Sequence, residues 1–128
     1  MRWEFEPERP IYSQLMEQVS LFIISGVYPP GSRLPSVREL AAEARVSSNT
    51  MQRALAELES TGLVYSERTS GRFVTEDRAL IEGGKRMLAQ QLINDFFSRM
   101  EKLGLSREAA LALATAALRV GSGNHFLS

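Results

Sequence analysis

Ser36-Val37-Arg38-Glu39-Leu40-Ala41-Ala42-Glu43-Ala44-Arg45-Val46-Ser47-Ser48-Asn49-Thr50-Met51-Gln52-Arg53-Ala54-Leu55 is the stretch that decides the fold. Ser36 and Glu39 have the spacing of a capping box. The serine hydroxyl accepts from the amide of residue 39, and the glutamate carboxylate reaches back. Leu40, Ala41 and Ala44 then supply one buried side of a short helix. Val46-Ser47-Ser48-Asn49 breaks the pattern and offers side chains that cap a second helix. That helix is predicted from Asn49 to Ser60, with Met51, Ala54, Leu55 and Leu58 on one stripe. Gly62 is its natural stop.

On the amino-terminal side, Ile11, Leu15, Met16, Val19, Phe22 and Ile23 recur at spacings of three and four, which predicts another helix. Gly26 and Pro29-Pro30-Gly31 end it in a turn. Met1 to Pro10 alternates aromatic and acidic residues around Trp3 and Phe5 and reads as a short strand or arm. On the carboxyl side the period changes. Leu63-Val64-Tyr65-Ser66 and Arg72-Phe73-Val74-Thr75 read as two strands, with Arg68-Thr69-Ser70-Gly71 as the turn. Helix, helix, helix and hairpin over residues 11–75 is the pattern of a winged helix-turn-helix.

The rest is helical. Ala79 to Leu103 carries Leu88, Leu92, Ile93, Phe96, Phe97, Met100 and Leu103 at helical spacing, and Gly83-Gly84 is expected to weaken or delay its start. Leu103-Gly104-Leu105 is a turn. Ser106 caps a final helix of mostly Ala and Leu that runs as far as Leu118. About 45 residues of hairpin cannot build an adequate core alone, since chains below ~70–80 residues usually need a staple or a partner. Ala109 to Leu118 is apolar nearly all round, and such a helix is normally buried on most sides. Either the hairpin packs on a second copy of itself, through Leu92, Phe96, Phe97, Met100, Leu111, Ala114 and Leu118, or it folds back on its own winged domain. The fold class is therefore mainly α with a small β-hairpin. Residues 1–77 form a winged helix-turn-helix domain, 78–120 a two-helix dimerisation domain, and 121–128 a loose tail.

Composition excludes much. The chain has 128 residues, 15 basic and 15 acidic side chains, and 44% apolar residues, as ordinary globular proteins do. The longest nearly apolar run, Ala109 to Leu118, is too short to span a bilayer. The first residues have no apolar core segment of a secretory signal. There are no cysteines, which suits a reducing cytoplasm. One histidine, His125, and no cysteine leave only oxygen ligands for a metal. No Gly-rich phosphate loop, HExxH motif or carboxylate cluster is present, so neither catalysis nor a cofactor is expected. A net charge of zero means that any DNA contact must come from a local basic surface. From Gly31 to Arg53, arginines 33, 38, 45 and 53 stand against Glu39 and Glu43, a local excess of two.

Four motifs in order carry a family likeness. They are Gly31-Ser32-Arg33-Leu34-Pro35-Ser36-Val37-Arg38-Glu39-Leu40-Ala41, Val46 to Ala54, Leu58-Glu59-Ser60-Thr61-Gly62-Leu63-Val64, and Gly71-Arg72-Phe73-Val74. With the opening Pro10-Ile11-Tyr12-Ser13-Gln14-Leu15, they resemble the GntR superfamily of bacterial transcription regulators over residues 5–76. Asn49-Thr50-Met51-Gln52-Arg53 and the short two-helix tail look like its YtrA-like subfamily. Members of that group are typically dimeric repressors, often encoded beside ABC-transporter operons. The resemblance implies a DNA operator and a second copy of the chain as partners, no membrane, and a small-molecule effector as a further possibility. Ser47, Ser48, Asn49, Thr50 and Gln52 then lie at the reading end of a recognition helix. Ser36 opens the preceding helix. Arg38 matches the family arginine that reaches a guanine. Arg33 and Arg53 hold phosphate or form internal ion pairs, and Arg68, Ser70 and Gly71 sit at the wing tip.

This chain departs from the family where many members carry arginine at the positions of Ser48 and Gln52. Glu67 and Thr69 also stand where wings are usually richer in glycine and arginine. Modest affinity and steep salt dependence are expected. Plainer readings exist for the same residues. Arg38 and Glu39 also suit a solvated helix surface, Ser47 a cap, and Arg72 a strand surface paired with Glu67. Trp3 and Phe5 read as packing residues. The alternative function is a winged-helix module that binds protein or a small ligand without DNA.

Overall fold

Apolar residues recur along the first helix so that Leu15, Val19, Phe22 and Ile23 share one side, and this side is buried. In the computed structural model, which describes residues 3–123, this helix is α1 (Ile11–Ile24). It is followed by α2 (Val37–Ala44), α3 (Ser48–Thr61), β1 (Val64–Glu67), β2 (Gly71–Val74), α4 (Arg78–Lys102) and α5 (Arg107–Gly123). The chain divides into two compact units, Met1–Leu88 and Ala89–Ser128. The division falls inside α4, beyond the sequence-based boundary at residue 77.

In the first unit, α1, α2 and α3 meet over one core. Leu40, Ala41 and Ala44 enter from α2, and Met51, Ala54, Leu55 and Leu58 from α3. Tyr28, Leu34, Leu63, Val64 and Val74 close it. Each fully buried Leu or Met side chain contributes roughly 1.5–3 kcal/mol by leaving water. Arg45, at φ +59°, is the left-handed residue that turns the chain from α2 to α3, and its amide donates to α2 carbonyls. Gly62, at φ +87°, ends α3.

The antiparallel hairpin pairs Val64 with Val74 and Tyr65 with Phe73. Its strands lie one residue beyond the sequence-based assignment at the start of β1 and one before it at the start of β2. The loop before α2 joins it as an extra rung. Leu34 N–H donates to Arg72 O at 2.8 Å, and Val74 N–H to Ser32 O at 2.8 Å.

Of strand and arm, the two readings open for the amino-terminal residues, the arm is found: its backbone pairs with side chains instead of with another strand. Gln14 Oε1 accepts from Glu6 N–H at 2.6 Å, and Gln14 Nε2 donates to Glu6 O at 2.8 Å and to Arg9 O at 3.0 Å. Gln18 holds the Glu4 backbone in the same two-sided way. Four helical residues rise about 6 Å and two extended residues about 6.7 Å, so the two glutamines match alternate arm residues. The intervening Trp3 and Phe5 pack on the core, as read from the sequence. One expectation does fail here: Gly83-Gly84 does not delay α4. The helix starts at Arg78, after Asp77 Oδ1 accepts from Ala79 N–H at 2.9 Å. A Cβ on Gly84 would stand 3.5 Å from Leu63 and 3.6 Å from Ile24, so the small residue lets the helix lie close.

In the second unit, Ser106 caps α5 by accepting from Ala109 N–H at 3.1 Å, and Gly104 takes φ +84° in the turn. Ala110 is fully buried. Helix α5 continues past Leu118 to Gly123; the remainder of the expected tail, with His125, lies outside the described residues.

Two predictions follow from these buried polar groups. Gln14→Ala removes three hydrogen bonds and is expected to cost about 2 kcal/mol in urea unfolding, with loss of arm docking. Tyr28 is 8% exposed and its hydroxyl has no hydrogen-bond partner among the described residues. Burial, aided by Glu43, pushes its ionisation from 10.0 up to about 12. Its folded value lies above the unfolded one, so stability is full below about pH 10 and falls as pH rises toward 12. Tyr28→Phe should hold or raise the melting temperature at pH 7 and flatten that alkaline decline, both read by thermal melts.

Candidate nucleic-acid interface

The two serines that open the helices both cap them. Ser36 Oγ accepts from Glu39 N–H at 3.1 Å, and Glu39 Oε1 accepts from Ser36 N–H at 3.0 Å. That backbone hydrogen bond holds the Glu39 carboxyl below its ordinary value. Ser47 Oγ accepts from Thr50 N–H at 3.1 Å and lies 2.8 Å from Thr50 Oγ1. Such a cap is worth ~1 kcal/mol. Exposed Ser47, Ser48 and Asn49, with half-buried Thr50, surround the positive end of α3. Backbone N–H groups at that end suit a phosphate oxygen.

Side chains on α3 fan out by about 100° per residue, so its faces separate. Met51, Ala54, Leu55 and Leu58 are buried. Ser48, Gln52 and Glu59 share the flank toward the hairpin, while Asn49 and Arg53 face outward. Ser48, Asn49, Gln52 and Arg53 are all exposed. Among the described residues Arg53 forms no ion pair; its guanidinium lies 3.7 Å from the centre of the Tyr12 ring on α1. This cation–π contact fixes the stem and leaves the charge at the surface.

The hairpin is tied to α3 by an ion pair. Arg72 Nε donates to Glu59 Oε1 at 2.9 Å, and the Ser66 hydroxyl donates to the same oxygen. The sequence reading paired Arg72 with Glu67, and the strand register corrects it. Ser66 opposes Arg72, so both side chains leave the same face and reach Glu59. Glu67 opposes Gly71 and belongs to the other face. The Ser66 hydrogen bond and then Arg72 hold the Glu59 carboxyl below its ordinary range.

At the wing tip, Arg68 and Ser70 are exposed. Gly71 takes φ +103°, and a Cβ there would come 3.2 Å from Arg33 Nε. Glycine thus lets the exposed Arg33 side chain lie along the wing backbone. Arg38, in the first turn of α2, is exposed, as is Ser36. The basic side chains proposed from sequence therefore stand at the surface, without a buried charge among them. Glu67 is exposed as well. Tyr12, Glu59 and Arg72 support this surface through contacts between residues distant in the chain. The Gln52–Glu59 spacing of two helical turns was the one visible signal.

The residues proposed for self-association lie in the second unit and in α4. Leu92 is 69%, Leu111 59% and Leu118 73% exposed. Ala114 is exposed too. Phe96, Phe97 and Met100 are half-buried inside the hairpin. Phe97 packs against Phe96 at 5.4 Å and takes the Arg107 guanidinium at 4.9 Å from its ring centre.

Residues 11–74 match the family described as "Bacterial regulatory proteins, gntR family". The chain is 34% identical to the uncharacterized HTH-type transcriptional regulator YhcF of Bacillus subtilis, over 84% of this chain and 89% of that protein. It is 38% identical to the HTH-type transcriptional repressor YtrA of the same organism, over 65% of each. Among solved structures it is similar to a GntR family transcriptional regulator from Listeria monocytogenes, at 40% identity and a TM-score of 0.76, covering 88% of this chain and 98% of that one. It is also similar to the DNA-binding domain of AraR in complex with operator ORX1, at 31% identity and a TM-score of 0.54, covering 59% of this chain and 96% of that one.

The depressed Glu59 value sets a pH test. A carboxylate held low in the folded state stabilises above its unfolded value, and that contribution is lost as pH falls through the folded value. Glu59→Gln should lower the melting temperature at pH 7, and the difference from wild type should close below about pH 4.

Proposed function

The chain belongs to the GntR family of bacterial regulatory proteins, DNA-binding transcription regulators and not enzymes, and from that membership we propose a homodimeric repressor that reads a short palindromic operator. The observation that carries this reading is the exposed amino-terminal end of α3 beside a wing with Arg68 exposed at its tip and Arg33 exposed along it. In this reading Ser47, Ser48, Asn49, Thr50 and Gln52 enter the major groove. Arg38 reaches a guanine, and a bidentate contact of that kind is worth ~1–3 kcal/mol of discrimination. Ser36, Arg33 and Arg53 hold phosphates, which position the protein without reading sequence. Arg68, Ser70 and Gly71 approach the minor groove.

Residues 78–120 supply the dimer contact, through Leu92, Phe96, Phe97, Met100, Leu111, Ala114 and Leu118. Three leucines more than half exposed support this. Apolar surface of that kind gains free energy when a partner covers it. Two-fold pairing presents two reading heads to two half-sites. The repressor in its similarity to YtrA is the basis for repression here, and control of an ABC-transporter operon belongs to the same proposal. A small effector that binds the two-helix region would act by shifting the spacing of the heads. No helix among the described residues is long and apolar enough to cross a membrane, and a cytoplasmic place of action belongs to the same proposal on the strength of the regulator family. Family membership displaces the alternative of a module that does not bind DNA.

One experiment tests both halves. Gel shifts on the promoter DNA of the protein's own gene should show sequence-selective binding, weakened about tenfold or more by Arg38→Ala and steeply by added salt. Leu92→Lys with Leu118→Asp should give a folded monomer in sedimentation and lose operator binding at the same concentrations. Selective binding by that folded monomer, or none by wild type at any salt, would reject the proposal.

A further inference from the structure

Gln52, Arg72 and Glu59 form a chain of polar contacts that runs from the wing to the hairpin-side flank of α3. Glu59 fixes Arg72 through the 2.9 Å contact to its Nε. The Arg72 side chain is only 17% exposed. Its Nη1 lies 3.5 Å from Gln52 Oε1, a long hydrogen bond to an exposed amide. A guanidinium donates and never accepts, so the amide must turn its oxygen toward it. The Gln52 NH2 group is then the end left for a ligand.

We propose that Arg72, fixed by Glu59, is a positioning residue that determines specificity by making Gln52 a one-ended donor toward DNA. The inference rests on the operator-reading role proposed above. A free glutamine prefers adenine, because it donates to N7 with its nitrogen and accepts from N6 with its oxygen. An amide turned oxygen-first to the wing cannot set both ends on one adenine without breaking the Arg72 contact. A single outward donor instead suits a base with only acceptors on its major-groove edge. Guanine, through N7 and O6, and thymine, through O4, have such edges. Neither Arg72 nor Glu59 touches DNA in this scheme; both act through Gln52.

The test is selection from a pool of duplex DNA with a randomised core, followed by sequencing, using the full chain. Wild type should enrich guanine or thymine at one position of each half-site. Gln52→Met should level that position and leave the others. Arg72→Leu should move the same position toward adenine, changing the base ratio there by roughly tenfold, with Glu59→Gln shifting it in the same direction. In a Gln52→Met background, Arg72→Leu should change nothing further. An even loss of enrichment across all positions in Arg72→Leu would overturn the proposal, as would an unchanged motif or a shift that persists without Gln52. If Arg72→Leu fails to fold by circular dichroism, the near-isosteric variant Glu59→Gln carries the same expected shift. A wild-type motif with an unmoved position sinks this inference alone, whereas no wild-type motif at all sinks the regulator reading with it.

Discussion

Helix α3 must bury one stripe while leaving the rest of its circumference free, and the whole winged unit is arranged around that division. Met51, Ala54, Leu55 and Leu58 lock the helix against α1 and α2. With its rotation fixed by that packing, every other α3 residue has an assigned direction. Glu59 meets the hairpin, Arg53 meets Tyr12, and Asn49 faces outward. A slip of one position would turn the stripe by about 100° and expose apolar side chains. The core thus sets the orientation of the polar surface as well as the stability of the fold.

Much of this was legible because its causes are local. The capping box at Ser36 and Glu39, the Ser47 cap, the Gly62 stop and the apolar stripes all depend on residues three or four apart. What could not be read depends on residues far apart in the chain. Tyr12 under Arg53 joins positions whose juxtaposition needs the α1–α3 packing first. Pairing Arg72 with Glu67 was reasonable from proximity, but strand alternation sends Glu67 to the opposite face. Gly83-Gly84 looked like a weak start, yet tertiary packing against Leu63 and Ile24 outweighs the poor intrinsic propensity of glycine. The arm alternated like a strand because Trp3 and Phe5 do pack inward, but its hydrogen bonds go to glutamine side chains. The residues placed at the proposed DNA surface came from motif likeness together with cap geometry.

Net charge says little about the wing or the helix end. Equal totals of acid and base conceal a local excess from Gly31 to Arg53, where four arginines stand against two glutamates. Arginines 33, 38, 53 and 68 all reach the surface of the first unit, while several of its glutamates are engaged. Glu59 holds Arg72, Glu39 closes a capping box, and Glu6 and Glu17 hold Arg9. The paired glutamates each tie up a cation, Arg72 or Arg9, and leave the four exposed arginines without an ion pair among the described residues. Glu67 is the exception at the wing, where it stands exposed.

The docked arm also carries the chain's single tryptophan. Trp3 lies edge-on to Phe22 at 5.1 Å, on the arm held by two glutamine amides. Its indole is therefore a built-in fluorophore for the state of the arm. A spectral shift on heating or in denaturant would report undocking of the first residues, while emission that stays constant as duplex is added would mean only that the arm has not moved.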